Sequence, residues 1–117
     1  MTDMSGYPTL CRLTEIEDGG SQRFTADVGG TPTPLLAVRA RNQVFAYINS
    51  CPHVGAPLDF IAGKFLNAEG THIQCANHGA LFDIESGICV KGPCIDDGLK
   101  PVSVAVNDGF VYLMTKI

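Results

Sequence analysis

The chain has 117 residues, with 8 Lys and Arg against 12 Asp and Glu, a formal charge of −4, five cysteines and 45% hydrophobic content. That length suits a single domain, and apolar content of this size with only 17% charged residues excludes intrinsic disorder. The acidic balance argues against nucleic acid, where a basic stripe is needed, and no run approaches the ~18 apolar residues of a membrane span.

Residues 1–10 hold no basic group followed by an apolar block, so no secretory signal is expected. Five cysteines without a leader point to a reducing compartment, with the cytoplasm as the expected location, and the odd count prevents complete pairing within the chain. Along the chain the apolar pattern has a period of two. Strands are predicted over Thr9 to Leu13, Arg23 to Val28, Leu35 to Arg39 and Gln43 to Ile48, with Arg41-Asn42 turning between the last two. Further strands are predicted over His72 to Cys75, Leu81 to Ile84, Pro101 to Val106 and Phe110 to Met114. Asn107-Asp108-Gly109 between the final pair is the strongest short hairpin signal in the sequence. No segment of ten or more residues keeps a helical stripe free of Gly and Pro. The expected fold is a small all-β antiparallel sandwich or barrel without repeats or linkers.

From Cys51 to Cys94 the chain is crowded with Gly, Pro, Cys and His. Loops of this length in a compact domain are usually functional or disordered, and these side chains favour function. Two matched pairs stand out: Cys51-Pro52-His53 and Cys75-Ala76-Asn77-His78, with Gly55 and Gly79 close behind them. Each pair offers one thiolate and one imidazole. Four such ligands in two loops suit zinc or an iron–sulfur cluster; two buried thiols with two ordinary histidines are the plain alternative. Zinc fingers of the Cys2His2 kind group Cys with Cys and His with His. A [2Fe–2S] centre with two cysteines on one iron and two histidines on the other instead asks each loop for one of each, as here. Zinc stays open as the second possibility.

The segments Cys51-Pro52-His53-Val54-Gly55-Ala56-Pro57-Leu58 and Cys75-Ala76-Asn77-His78-Gly79-Ala80-Leu81-Phe82-Asp83 resemble the two cluster-binding boxes of Rieske [2Fe–2S] proteins. Gly87 to Cys94 resembles the Gly-Pro third loop of that family, and the likeness runs from about residue 35 to 115. The resemblance implies one domain over residues 1–117, an all-β fold of stacked sheets with cluster-binding loops over about residues 50–95 at one tip. It implies one [2Fe–2S] cluster, with Cys51 and Cys75 on the inner iron and His53 and His78 on the outer. It also implies an electron carrier rather than an enzyme.

The quinol-oxidising members of the family carry a disulfide between the two boxes and Ser and Tyr hydroxyls beside the cluster. This chain has Ala56 and Asn77 at the disulfide positions, and Ala80 and Phe82 at the hydroxyl positions. Without those donors the reduced cluster is less stabilised, so the expected potential is low in the mixed-ligand range, about −150 to −50 mV. That is similar to Rieske ferredoxins passing electrons from a flavin-dependent, NAD(P)H-consuming reductase to a terminal oxygenase, with no nucleic acid or membrane involved. The small subunit of an assimilatory nitrite reductase, bound to its large subunit, is the nearest rival; a zinc- or cluster-based interaction or redox-sensing module is the other. Cys89 and Cys94 are close enough in sequence for a disulfide, but are expected as small apolar thiols of the third loop. Cys11 is expected in the core, His72 in a strand or at the surface, Pro93 as a shield of the cluster, and Asp83, Asp96 and Asp97 in turns or at the surface.

Overall fold

A computed structural model describes residues 7–28, 30–50, 57–59, 63–75, 79–92 and 97–114. Among these residues ten strands follow in chain order: β1 (Thr9–Arg12), β2 (Ser21–Val28), β3 (Thr31–Ala40), β4 (Gln43–Ile48), β5 (His72–Gln74), β6 (Leu81–Asp83), β7 (Cys89–Lys91), β8 (Pro101–Val102), β9 (Val104–Asn107) and β10 (Phe110–Leu113). They form three antiparallel sheets, ordered β1-β10-β9, β2-β3-β4-β8 and β5-β6-β7. The all-β expectation holds, and the helical structure among the described residues is one 3₁₀ turn, Leu13–Glu15.

The middle sheet is covered on both faces. Leu35, Leu36, Ala37 and Val38 of β3 are all buried in succession, which one-sided strands with alternating faces do not show. Leu36 and Val38, with Tyr47 of β4, join a core with Phe65, Ile73, Phe82 and Cys89 on the side of the β5-β6-β7 sheet. Leu35 and Ala37, with Val44 and Ala46, face the opposite way, toward Val111 and Leu113 of the first sheet. Burying one such aliphatic side chain is worth about 1.5–3 kcal/mol.

β4 has its predicted limits, and both predicted hairpins form. Asn107 pairs with Phe110 around Asp108 and Gly109, at φ 54° and 80°, the two positive values of a type I′ turn. Arg41 takes φ 59° in the other turn, where Asp18 Oδ1 accepts its N–H at 2.8 Å and its carbonyl accepts from Arg39 Nε at 2.7 Å.

Elsewhere the boundaries shift for identifiable reasons. β3 starts four residues earlier than predicted, through Pro32 and Pro34. The Pro34 carbonyl accepts the Asn49 N–H at 2.9 Å, so its nitrogen also faces away from β2 and the β2 ladder loses nothing. β2 likewise begins two residues early, at Ser21. β1 stops at Arg12, because Leu13 enters the 3₁₀ turn, where Glu15 Oε2 accepts the Arg12 N–H at 2.7 Å. The single strand predicted over Pro101 to Val106 is two: β8 pairs with β4, β9 pairs with β10, and the Ser103 carbonyl between them accepts from Met114 N. β7 replaces part of what was expected to be the third loop.

The chain leaves the middle sheet after β4 and returns beside it as β8, and Ile48 N donates to Lys100 O at 2.9 Å. The β5-β6-β7 sheet therefore belongs to an insertion between neighbouring strands. It meets the middle sheet at Gly87, where φ is 75° and a Cβ would lie 2.6 Å from Tyr47 Cε1. Gly87→Ala is expected to cost about 2 kcal/mol or more, combining left-handed backbone strain with a collision in the core. Gly109→Ala, at φ 80° with open space around it, should cost only the backbone part; urea unfolding of the two variants measures the difference.

Candidate metal centre

Cys75 follows directly on β5. Its N–H donates to Ala80 O at 2.9 Å and its carbonyl accepts from Gly79 N at 2.9 Å, so both backbone groups of this residue are pinned by the loop it opens. Its side chain is fully buried, in one apolar cluster with Leu58, Phe65, Ala80 and Phe82. Of the four expected ligands, Cys75 falls among the described residues; Cys51, His53 and His78 lie outside them. A thiol on a fixed backbone among apolar side chains suits the sulfur side of a soft metal site. With the expected Cys51, His53 and His78 it would make up the donor composition of a mixed-ligand iron–sulfur centre.

The first expected ligand loop is described at its two ends. Asn49 is buried, and its carboxamide oxygen accepts the Leu58 N–H at 2.9 Å while its nitrogen donates to Asp59 Oδ1 at 3.1 Å. Asp59 Oδ2 accepts the Gly63 N–H at 3.0 Å and lies 3.7 Å from Arg23 Nη1. Neither Asn49 nor Asp59 was singled out by sequence; the signal available was an Asx residue just ahead of Cys-Pro-His, which ordinarily reads as a turn.

The third segment is anchored through β7. Cys89 is buried, its N–H donates to Asp97 O, and its Sγ donates to Lys91 O at 3.4 Å. Gly92 passes so close to Ala80 that a Cβ would meet its Cα at 2.9 Å. Pro93, Cys94 and Asp96 lie outside the described residues. Asp83, expected in a turn or at the surface, is instead the last residue of β6, paired with His72; its Oδ2 accepts the Ser86 N–H of the following turn at 2.8 Å, and hydrogen bonding from Ser86 holds its carboxyl below the usual range. Half-buried His72 lies in β5, where its Nδ1 is 2.9 Å from Thr71 Oγ1. Cys11 is core, as expected, and burial with the nearby Glu15 carboxylate pushes its thiol up to about 11, which leaves it inert at neutral pH. Among the described residues no group of three His, Cys, Asp or Glu side chains is gathered to hold a metal ion, and no helix is long and apolar enough to cross a membrane.

Residues 7–107 match the family described as the Rieske [2Fe-2S] domain, which implies a cluster of that type. The chain is 29% identical over 104 residues to ferredoxin CarAc of Metapseudomonas resinovorans, covering 89% of each. It is 27% identical over 104 residues to human apoptosis-inducing factor 3, covering 89% of this chain but 16% of that protein, so it spans a small fraction of that relative's length. A solved complex of reduced oxygenase and oxidised ferredoxin in carbazole 1,9a-dioxygenase contains a chain 26% identical to this one, with a TM-score of 0.71 and coverage of 95% of this chain and 96% of that one.

The β6–β7 turn is held to the middle sheet by Tyr47, whose hydroxyl donates to Ile84 O at 2.6 Å. Burial first, then the Asp83 and Glu85 carboxylates, push the phenol from 10.0 up to about 12. The neutral form is the one that folding favours, so this contribution to stability is complete below pH 10 and disappears as the pH rises toward 12. Absorbance titration should show a tyrosine ionising near pH 12, and Tyr47→Phe should remove that step along with the alkaline loss of stability it accounts for.

Proposed function

Because the chain belongs to the Rieske [2Fe–2S] family, we propose that it is a one-electron carrier, the ferredoxin component between an NAD(P)H-dependent flavin reductase and a terminal oxygenase. The observation that carries this is the match to ferredoxin CarAc over 89% of both chains; the complex of oxygenase and ferredoxin among its structural relatives supports the partner. Cys51 and Cys75 would hold one iron and His53 and His78 the other, in a single domain acting in the cytoplasm. When bound, the cluster supplies an acceptor for a single electron, at a higher potential than an all-cysteine cluster because two neutral imidazoles replace two thiolates. The chain itself would convert no substrate.

Its own residues set the conditions of that transfer. Cys75 brings a thiolate on a backbone fixed at both its N–H and its carbonyl. Leu58, Ala80 and Phe82 are fully buried beside it in the core and keep water from that side. Ala80 and Phe82 carry no hydroxyl, so neither donates a hydrogen bond that would favour added negative charge. The formal charge of −4 favours a partner with a basic docking face, an attraction that weakens as salt is raised.

Dithionite reduction followed by low-temperature EPR, with iron and sulfide analysis, tests the proposal. A rhombic [2Fe–2S] signal of lower mean g than all-cysteine clusters give is expected; a silent protein holding stoichiometric zinc after iron-replete expression would sink it. Ala80→Ser and Phe82→Tyr should each raise the reduction potential, by about 60 mV for a hydrogen bond worth ~1.4 kcal/mol in the reduced state. Redox titration reads that shift directly.

A further inference from the structure

Asn49 is a polar side chain in an otherwise apolar core, 2% exposed, and it stands two residues ahead of Cys51. The Asp59 side chain is fully buried too, whereas its partner Arg23 is half-exposed at 3.7 Å. A carboxylate is buried at considerable cost unless its oxygens are occupied. Here both are: Oδ1 by Asn49 Nδ2 and Oδ2 by the Gly63 N–H. The Gly63 carbonyl accepts from Ser21 Oγ at 2.7 Å, and that hydroxyl accepts the Phe65 N–H at 3.2 Å. One polar chain thus runs from the end of β4 to the start of β2.

The two ligand loops are closed in different ways. The loop opened by Cys75 is closed by its own backbone, through Ala80 and Gly79. Among the described residues, the segment from Asn49 to Asp59 is closed by side chains: the carboxamide of Asn49 holds Leu58 N and the Asp59 carboxylate, which in turn holds Gly63. A side-chain closure fixes the separation of the two ends while leaving the residues between them to other partners.

We propose that Asn49 and Asp59 are positioning residues of the metal centre, a clamp that sets the two ends of the segment carrying Cys51 and His53. This rests on the reading that Cys51, His53, Cys75 and His78 hold a cluster. The clamp's role is to slow the loss of the metal, and it does so separately from any contribution to overall stability.

The test exchanges the two side chains. Asn49→Asp sets two carboxylates against each other, and Asp59→Asn removes the charged acceptor. Combining N49D with D59N restores the pairing in reverse. The carboxylate then accepts from Leu58 N and from the new carboxamide, whose oxygen accepts from Gly63 N. The cluster-loaded proteins are challenged with excess chelator and bleaching of the visible absorbance is followed, beside thermal unfolding by circular dichroism. Each single variant should lose its cluster at least about tenfold faster, the equivalent of one charge-assisted hydrogen bond. The double variant should return to within about twofold of the parent, since only the half-exposed Arg23 pair is lost. Ser21→Ala, which removes the far end of the polar chain, should lower the unfolding temperature without accelerating bleaching. Parental rates in both single variants, no rescue in the double, or equal acceleration in Ser21→Ala would each overturn the clamp. Should Asn49→Asp not fold, the near-isosteric Asp59→Asn against Ser21→Ala decides. A parent protein that takes up no iron would instead overturn the ligand assignment, and the clamp with it.

Discussion

The structure depends on the burial of β3 from both sides. Four successive apolar residues, Leu35 to Val38, give each neighbouring sheet two side chains to pack on, and their partners in β4 alternate in the same sense. Remove either cover and the middle sheet would present a wide apolar face to water. The β5-β6-β7 sheet has strands of only three residues each, and strands so short are marginal unless another layer supports them. Leu36, Val38 and Tyr47 provide that layer, so the backbone around Cys75 owes its order to residues distant in sequence.

On this floor the loops are ordered mainly by individual hydrogen bonds instead of extended ladders. Cys75, Ala80 and Gly79 do this with backbone alone, Asn49 and Asp59 with side chains, and Tyr47 with one hydroxyl on the Ile84 carbonyl. Each such bond is modest in net worth but expensive to leave unmade once buried. A centre that changes charge by one electron benefits from surroundings that do not rearrange. The described ends of these loops, buried and bonded on a two-sided core, meet that need.

The fold class, β4 and both tight turns were legible in the sequence because alternation and turn chemistry are local properties. The Cys/His pairs read as chemistry because their residue types and spacing have few other uses, though Cys51, His53 and His78 lie outside the described residues. What was missed depends on neighbours. β7 reads as loop, with Gly87 before it and Gly92-Pro93 after it, and Ile88 and Val90 are 55% and 49% exposed; it is a strand because β6 offers it a ladder. The break at Ser103 is invisible locally, since the apolar pattern continues across it while the pairing partner changes from β4 to β10. Pro32 and Pro34 hid the start of β3 because a proline's tolerance in a strand depends on which way its nitrogen faces. Asn49 and Asp59 looked like ordinary turn residues, as burial is conferred by packing that no local pattern records.

The hydrogen bond from Ile48 N to Lys100 O has an architectural meaning. It brings the departure and the return of the intervening segment to adjacent points on neighbouring strands, so residues 49–100 are joined covalently to the rest of the chain through a single narrow neck. Whatever stood in place of this segment would have to return beside β4 as β8 and also lay an apolar surface of its own over Leu36, Val38 and Tyr47. The remaining frame, the outer sheet and the middle one, then acts as a chassis. Variation in the inserted part can retune the chemistry it carries where it leaves that shared packed layer in place.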